Sequence, residues 1–367
     1  MPIPEQRDLG KAREVIRDWL SAKLPDAQGL EISELSGPAF TGFSNESLIF
    51  DAIWTEGGEP RSSGYVIRVQ PTAHTIFLES DFDFQYKVMR ALAANTDVPL
   101  PPVLWWEEDV AVLGAPFFVM GKVEGRVPAD NPPYTQVGWV IDEATPAFRE
   151  RMVYTGLDAM AKIHHADWRA LGLEYLHKPQ YGAMGLDQQL NYYAKSFEWA
   201  AGALGQPQPV AEPGLEWCMN HRPKGEEHIA LSWGDARINN EIFDPEGNCI
   251  AVLDWEMVTL ADPMMDFAWW LFLDRHFHEG MENAPRLPGF PTREQMSDRY
   301  AAASGRTPDP EKVEYYEIFA ALRFAVVMMR VTAMVIEFEL MPPDTDMGYN
   351  NIPTRLLAQL LGLPAPG

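Results

Sequence analysis

The dominant hydrophobic period of this chain shifts near residue 146, and that shift points to a fold in which a strand-rich part precedes a helical one. Before it, "LEISELSGPAF", "ESLIFDAIW" and "GYVIRVQ" carry β-branched and aromatic residues in alternating or clustered order. A polar gap with Gly57 and Gly58 separates the last two, which predicts an antiparallel meander. A leading helix is expected to bury Val15, Ile16, Trp19 and Leu20. A second helix, over 77–94, has Phe84, Val88 and Leu92 at helical spacing, with Tyr86 and Met89 beside them. "VPLPPVLWWEEDVAVLGAPFFVMGKVEG" adds two strand-like runs. From about 146 the patterns are long and helical, as in "FRERMVYTGLDAMAKIHHA", and only 230–258 reads again as short strands and loops. The expected class is α+β, a small β-rich N-lobe over 1–120 and a larger helical C-lobe over 121–367, with a hinge near Met120 to Gly125.

The 367 residues, 46% of them hydrophobic, suffice for a large core. A formal charge of -24 disfavours nucleic acid, whose phosphates are bound through clustered Lys and Arg. The two cysteines, Cys218 and Cys249, form neither a metal spacing nor a disulfide framework, so a reducing compartment and inert thiols are expected. The first twenty residues lack the apolar core of a secretory signal, which points to the cytoplasm. The most apolar stretch, 318–338, is interrupted by Arg323 and Arg330 and reads as a buried helix, with no membrane partner. Nothing in the sequence fixes an oligomeric state.

"SWGDARINNEIF" and "AVLDWE" concentrate the chemistry. Asp235, Asn240 and Asp254 are oxygen-bearing side chains between apolar flanks. Both runs end on a carboxylate, so pairing the two strands would place Asp235 and Asp254 in one cleft with Asn240 on the intervening loop. Magnesium takes such hard oxygen ligands and keeps waters and substrate phosphates in its other positions. Read singly, each residue is a turn or capping residue; their joint spacing favours the metal site. "SGPAFTGFSNES" comes close to a Walker A loop but has Phe43 where the lysine belongs and joins two strands, so it is not one. Such a strand-turn-strand can instead lie over nucleotide phosphates, with backbone amides and the Ser44 and Asn45 side chains as donors.

"WGDARINNEIFD" with "AVLDWEMVTLADPMMDFAWWL" resembles the signature of the aminoglycoside phosphotransferase-like kinases, especially the branch also fused to acyl-CoA dehydrogenases. The resemblance runs over most of the chain. It implies a protein-kinase-like two-lobed fold that moves the γ-phosphoryl group of ATP or GTP to a small-molecule hydroxyl. On that resemblance Asp235 is the catalytic Asp that orients or receives the hydroxyl proton, Asn240 and Asp254 are the Mg2+ ligands, and Arg237 contacts the γ-phosphate. Asp266 anchors loop backbone. Met120 to Val123 is the hinge whose backbone meets the adenine edge. Arg68 stands where these kinases keep a phosphate-pairing lysine, and offers a two-pronged fork instead of a point charge. The signature His is Trp233, and the partner Glu expected for Arg68 falls on Gln85, which leaves Glu79 or Asp83 as its partner. Those departures motivate a competing expectation, a nucleotide-binding pseudokinase-like module without catalysis. His164 and His165 match a family helix end and read as structural rather than as zinc ligands.

The resemblance leaves the acceptor open between an aminoglycoside-like polyamine alcohol, which suits the acidic balance, and a hydroxy acid or hydroxyacyl-CoA, which would call on Arg222, Lys224 or Arg286. The acceptor is expected over the catalytic loop. Tyr192, Tyr193, Trp270, Asp274, Arg275 and His278 span several faces of their helices, so some of them are expected to line its pocket, whereas Trp269 reads as core.

Overall fold

The computed structural model describes residues 7–37, 46–72, 75–79, 81–225, 227–280 and 286–366. The strands are β1 (Gln28–Ile32), β2 (Glu46–Glu56), β3 (Glu59–Val69), β4 (Val103–Glu107), β5 (Phe117–Gly121), β6 (Ala230–Ser232), β7 (Glu241–Phe243), β8 (Cys249–Val252) and β9 (Thr259–Ala261). The helices are α1 (Leu9–Lys23), α2 (Phe82–Asn95), the single turns α3 (Val110–Leu113) and α4 (Trp139–Asp142), α5 (Pro146–His165), α6 (Leu186–Leu204), α7 (Ala211–Asn220), α8 (Pro263–His278), α9 (Arg293–Ser304), α10 (Pro310–Glu337) and α11 (Ile352–Leu361). They form two compact units, one reaching Ile76 and including Pro101–Glu124, the other made of Phe77–Leu100 and the chain from Gly125 onward. The class is α+β, as expected.

The first unit is a five-stranded antiparallel sheet in the order β1-β2-β3-β5-β4. Gly57 (φ 58°) and Gly58 (φ 86°) close the β2–β3 hairpin, because a two-residue turn that matches strand twist needs positive φ at both positions. Alternation places Leu48, Phe50 and Ala52 of β2, and Tyr65, Ile67 and Val69 of β3, against Ala12, Ile16 and Leu20 of α1. That stripe leaves out Val15, which is 38% exposed and not buried as its neighbours suggest. The i, i+4 row through Ile16 faces the sheet, and Val15 lies one position off it. Trp19 is half-buried at the edge of this core and donates its indole N–H to Glu107 Oε2 at 2.8 Å.

In the second unit the helices gather around α10, which packs against α6, α7, α8 and α11, while α5 packs against α9. Sequence punctuation sets their starts. Thr145, Asp262 and Asp309 each cap a helix whose first residue is proline, and Thr292 with Gln295 forms a capping box on α9. The helix α10 is long and apolar enough to cross a membrane by length and composition, yet 67% of its most apolar window is buried inside the protein, with Arg323 in its middle. Both cysteines are free. Burial pushes the Cys218 thiol up to about 12, which keeps it inert.

Two short antiparallel pairs complete the unit, β6 with β9 and β7 with β8. The expected pairing of the strand before Asp235 with the strand before Asp254 is therefore corrected. Asp244 accepts from the amides of Glu246 and Asn248, so a local turn folds β8 back onto β7, and β6 takes β9 instead.

Candidate active site in the helical unit

After β6 the chain turns through Trp233, Gly234 and Asp235 into a single 3-10 turn, Ile238–Asn240. Gly234 has φ 92°, and a Cβ there would collide with the Met257 carbonyl, so this bend requires glycine. Asp266, fully buried in the first turn of α8, supports the bend. Its carboxylate accepts from Ser232 Oγ at 2.7 Å, from the Trp233 and Gly234 amides at 2.7 and 2.9 Å, and from His164 Nε2 at 3.1 Å. Burial alone would raise its pKa, but these hydrogen bonds, His164 first, hold the carboxyl below the usual range. A carboxylate only accepts, so His164 donates from Nε2, and its Nδ1 lies in a hydrogen bond of 2.7 Å with the Tyr300 hydroxyl. Asp266 thus anchors loop backbone, as read from the sequence, and His164 is buried with both ring nitrogens in hydrogen bonds.

Three donors hold the Asp235 carboxylate. Trp269 Nε1 reaches Oδ1 at 2.9 Å, while Asn240 Nδ2 and Arg237 Nε reach Oδ2 at 2.7 and 3.1 Å. Asn240 also donates to the Asp235 carbonyl at 3.0 Å. The Leu253 amide donates to the Asn240 carbonyl at 2.7 Å, and its own carbonyl accepts from Trp233 Nε1 at 2.8 Å. These two bonds fasten the residue before Asp254 to both halves of the loop. The tryptophan in place of the signature histidine is thereby part of the framework that sets Asp254. Asp254 itself has φ 58°, the left-handed region that Asp tolerates better than most residues and that concentrates at functional sites.

Arg237 also donates to Asp130 Oδ1 at 2.9 Å. Burial opposes its charge, but Asp235, Asp130 and Asp254 more than offset that, so the guanidinium stays charged. Both hydrogen bonds of the Asn240 side chain are donated by Nδ2, and neither uses its Oδ1. Among the described residues no three of His, Cys, Asp or Glu cluster as a metal cage. One carboxylate and one amide oxygen, with phosphate and water completing the shell, is a set magnesium accepts.

The remaining expected residues fall in several places. Ser44 and Asn45 lie outside the described residues. In the strand-rich unit, Arg68 sits in β3 on the face opposite Ile67 and Val69 and donates to Ser47 Oγ at 3.2 Å; Met120 is the last residue but one of β5, and Val123 lies two residues beyond its end at Gly121. In the helical unit, Lys178 binds Glu79 at 2.8 Å and also binds Asp81, Lys87 binds Asp83, and Gln85 is 5% exposed. The acceptor candidates separate. Tyr192 and Tyr193 line an open, solvent-facing cavity with Lys178, Gln189, Glu256 and Thr259. Trp270 and Asp274 line a smaller one with Tyr134, Arg237 and Asn239. Arg275 pairs with Glu317 at 3.1 Å, and His278 is buried against Asp274 and Phe290. Sequence reasoning missed Trp269 and Asp130 as partners of the loop. A signal for Trp269 existed: it lies three residues after Asp266, on the helix face that already touches the loop.

A strand-rich unit followed by a helical one, with an Asp, an Asn and an Asp gathered on and beside one tight loop, defines a protein-kinase-like phosphotransferase fold. The model of the phosphotransferase enzyme family, APH, matches residues 45–316, and the chain belongs to that family. A crystal structure of a candidate aminoglycoside phosphotransferase from Ralstonia eutropha is 25% identical, with a TM-score of 0.67 over 95% of this chain and 96% of that one. Acyl-CoA dehydrogenase family member 10 of Mus musculus is 28% identical over 350 residues, 90% of this chain and 29% of that protein. Acyl-CoA dehydrogenase family member 11 of Gallus gallus is 32% identical over 207 residues, 56% of this chain and 24% of that protein. The chain spans about a third or less of the length of these curated relatives.

Proposed function

We propose that this chain transfers the γ-phosphoryl group of ATP or GTP to a hydroxyl of a small molecule, with Asp235 as the catalytic carboxylate. The observation that carries the reading is the Asp235 carboxylate held at Oδ2 by Asn240 and Arg237 and at Oδ1 by Trp269. A fixed carboxylate orients the attacking hydroxyl and receives its proton, and fixing is what phosphoryl transfer demands, because the reaction depends on positioning and charge stabilisation. Asn240 and Asp254 would hold magnesium, which supplies charge neutralisation at the nucleotide's phosphates. Arg237 adds a permanent positive charge next to Asp235 for the transferred group. In the strand-rich unit, Arg68 is the proposed partner of nucleotide phosphates and the backbone from Met120 to Val123 that of the base; Ser44 and Asn45, the further donors expected from the sequence, lie outside the described residues. The reading places the reaction in the cytoplasm.

Two acceptor classes follow from different observations. Glu79, Asp81 and Glu256 outnumber Lys178 around the larger cavity, which supports an amine-bearing alcohol. The relatives' names support a hydroxy acid or hydroxyacyl-CoA, although Arg222 pairs with Asp187 and Arg286 with Asp274. A coupled nucleotide-consumption screen across aminoglycosides, hydroxy acids and hydroxyacyl-CoAs, with Asp235→Asn as the control, decides between them. No acceptor-dependent consumption by the native protein, alongside a thermal shift with magnesium and nucleotide, would replace the enzyme with a nucleotide-binding module.

A further inference from the structure

Arg323, in the middle of α10, is 1% exposed, and among the described residues no carboxylate pairs with it. Only Nη2 is used, donating to the Gly234 carbonyl at 3.1 Å; Nε and Nη1 are buried without a hydrogen-bond partner. The guanidinium carbon lies 4.5 Å from the Trp269 ring centroid and 5.2 Å from that of Tyr193. Burying a cation with two idle donors is costly, and an apolar side chain of similar volume would fill the space with less penalty. What distinguishes Arg323 is its two neighbours. Gly234 immediately precedes Asp235 in the chain, and Trp269 donates its indole N–H to Asp235 Oδ1.

We propose that Arg323 is a positioning residue for phosphoryl transfer, setting the Asp235 carboxylate through the Gly234 carbonyl on one side and the Trp269 indole on the other. The inference rests on the catalytic role of Asp235 given above. A cation over the face of an indole withdraws electron density from the ring and makes its N–H a stronger donor. The carboxylate at the far edge completes a cation, indole, anion sequence inside the protein. Together with the hold on Gly234 this stops the carboxylate rotating and stops the bend from shifting. Misplacement of a reacting group by about 1 Å costs on the order of 100-fold in rate, so small freedoms matter here.

The test compares Arg323→Met, Arg323→Lys, Trp269→Phe and the Met/Phe double variant in the full chain. Turnover of magnesium-ATP is read with the acceptor found in the screen or, failing one, with water. Arg323→Met is expected to lower kcat about 10- to 100-fold while the nucleotide KM stays within about twofold, and Arg323→Lys to recover part of the loss. The double variant is expected to fall no more than about threefold below the worse single one, because both changes break one relay. In protein labelled with 15N-tryptophan, the Trp269 indole resonance, identified by its loss in Trp269→Phe, should move in both Asp235→Asn and Arg323→Met. Equal losses of kcat and nucleotide affinity with additive single effects, or a resonance that moves with Asp235→Asn but not with Arg323→Met, would overturn the inference. If Arg323→Met does not fold, Arg323→Lys decides: an unmoved resonance and unchanged kcat overturn the proposal, and changes in both support it. Full turnover by Asp235→Asn defeats the catalytic role of Asp235 on which this inference rests, whereas an inactive Asp235→Asn beside a fully active Arg323→Met defeats only the role of Arg323.

Discussion

Asn240 Nδ2 lies 2.7 Å from Asp235 Oδ2, so the amide assigned to the metal is also bonded to the carboxylate assigned to the hydroxyl. On the proposed roles, metal site and proton acceptor share one side chain. Removing the acceptor carboxylate's charge should nevertheless leave the metal ligands in place. Asp235→Asn is expected to keep the fold and nucleotide affinity while turnover with the identified acceptor falls by about three orders of magnitude or more. Steady-state rates and calorimetric nucleotide titrations of the same preparation check this, and unchanged turnover would refute the role.

Asp254→Ala should show the opposite pattern. Nucleotide binding is expected to weaken and to lose its dependence on magnesium, because only one oxygen ligand, from Asn240, remains. Calorimetry with and without magnesium reads this directly. Affinity indifferent to both the metal and the substitution would place the metal elsewhere.

The two cavities give different acceptor predictions. If the acceptor occupies the larger one, Tyr193→Ala raises its KM by about tenfold with nucleotide hydrolysis in its absence nearly unchanged; if the smaller one, Asp274→Ala does so. Equal loss of both activities in both variants would mean that these residues support the fold and that the acceptor lies elsewhere.

Gly234→Ala tests the bend itself. With φ at 92° and the Met257 carbonyl in the way, the substitution is expected to cost roughly 3 kcal/mol of stability, seen as a lowered Tm and urea midpoint. Native-like stability would show that the loop can relax around a side chain.

His276 supplies a pH dependence. Burial, with Arg237 as the second cause, lowers its pKa from 6.5 to about 4, and its Nδ1 is buried without a hydrogen-bond partner. Unfolding exposes an imidazole that binds a proton below about pH 6.5, whereas the folded ring stays neutral until near pH 4. Its contribution is thus complete above pH 6.5 and is lost as pH falls towards 4, by about 2 kcal/mol at pH 4.5. His276→Phe fits among Phe272, Phe277 and Phe324 and should flatten that part of the stability profile. Parallel urea-unfolding profiles between pH 7 and 4.5 for the two proteins would refute it.

The elements carrying their own period were legible in the sequence: the Gly-Gly hairpin, the long helices after residue 146 and, Val15 apart, the buried row of α1. Asp235, Asn240 and Asp254 stood out in the sequence because their side-chain chemistry and spacing agree, and the structure bonds Asn240 to Asp235. The strand pairing around them was not legible, since a three-residue strand holds too little pattern to name its partner, and the Asp244 turn decided the matter. Trp269 and Arg323 were read only for hydrophobicity and for interrupting an apolar run. Their roles come from which side of a helix meets the loop, and that is set by tertiary packing.

Asp266 belongs to α8, yet it takes the amide protons of Trp233 and Gly234, far away along the chain. Those two amides have no strand or helix ladder of their own to protect them from solvent exchange. Their protection is that of α8's docking, so in deuterated water they should exchange together and only when the first turn of α8 leaves. The bend that carries Asp235 then takes its shape only once α8 has been made and docked, and a nascent chain ending before Asp266 would hold the Asp235 segment without its geometry.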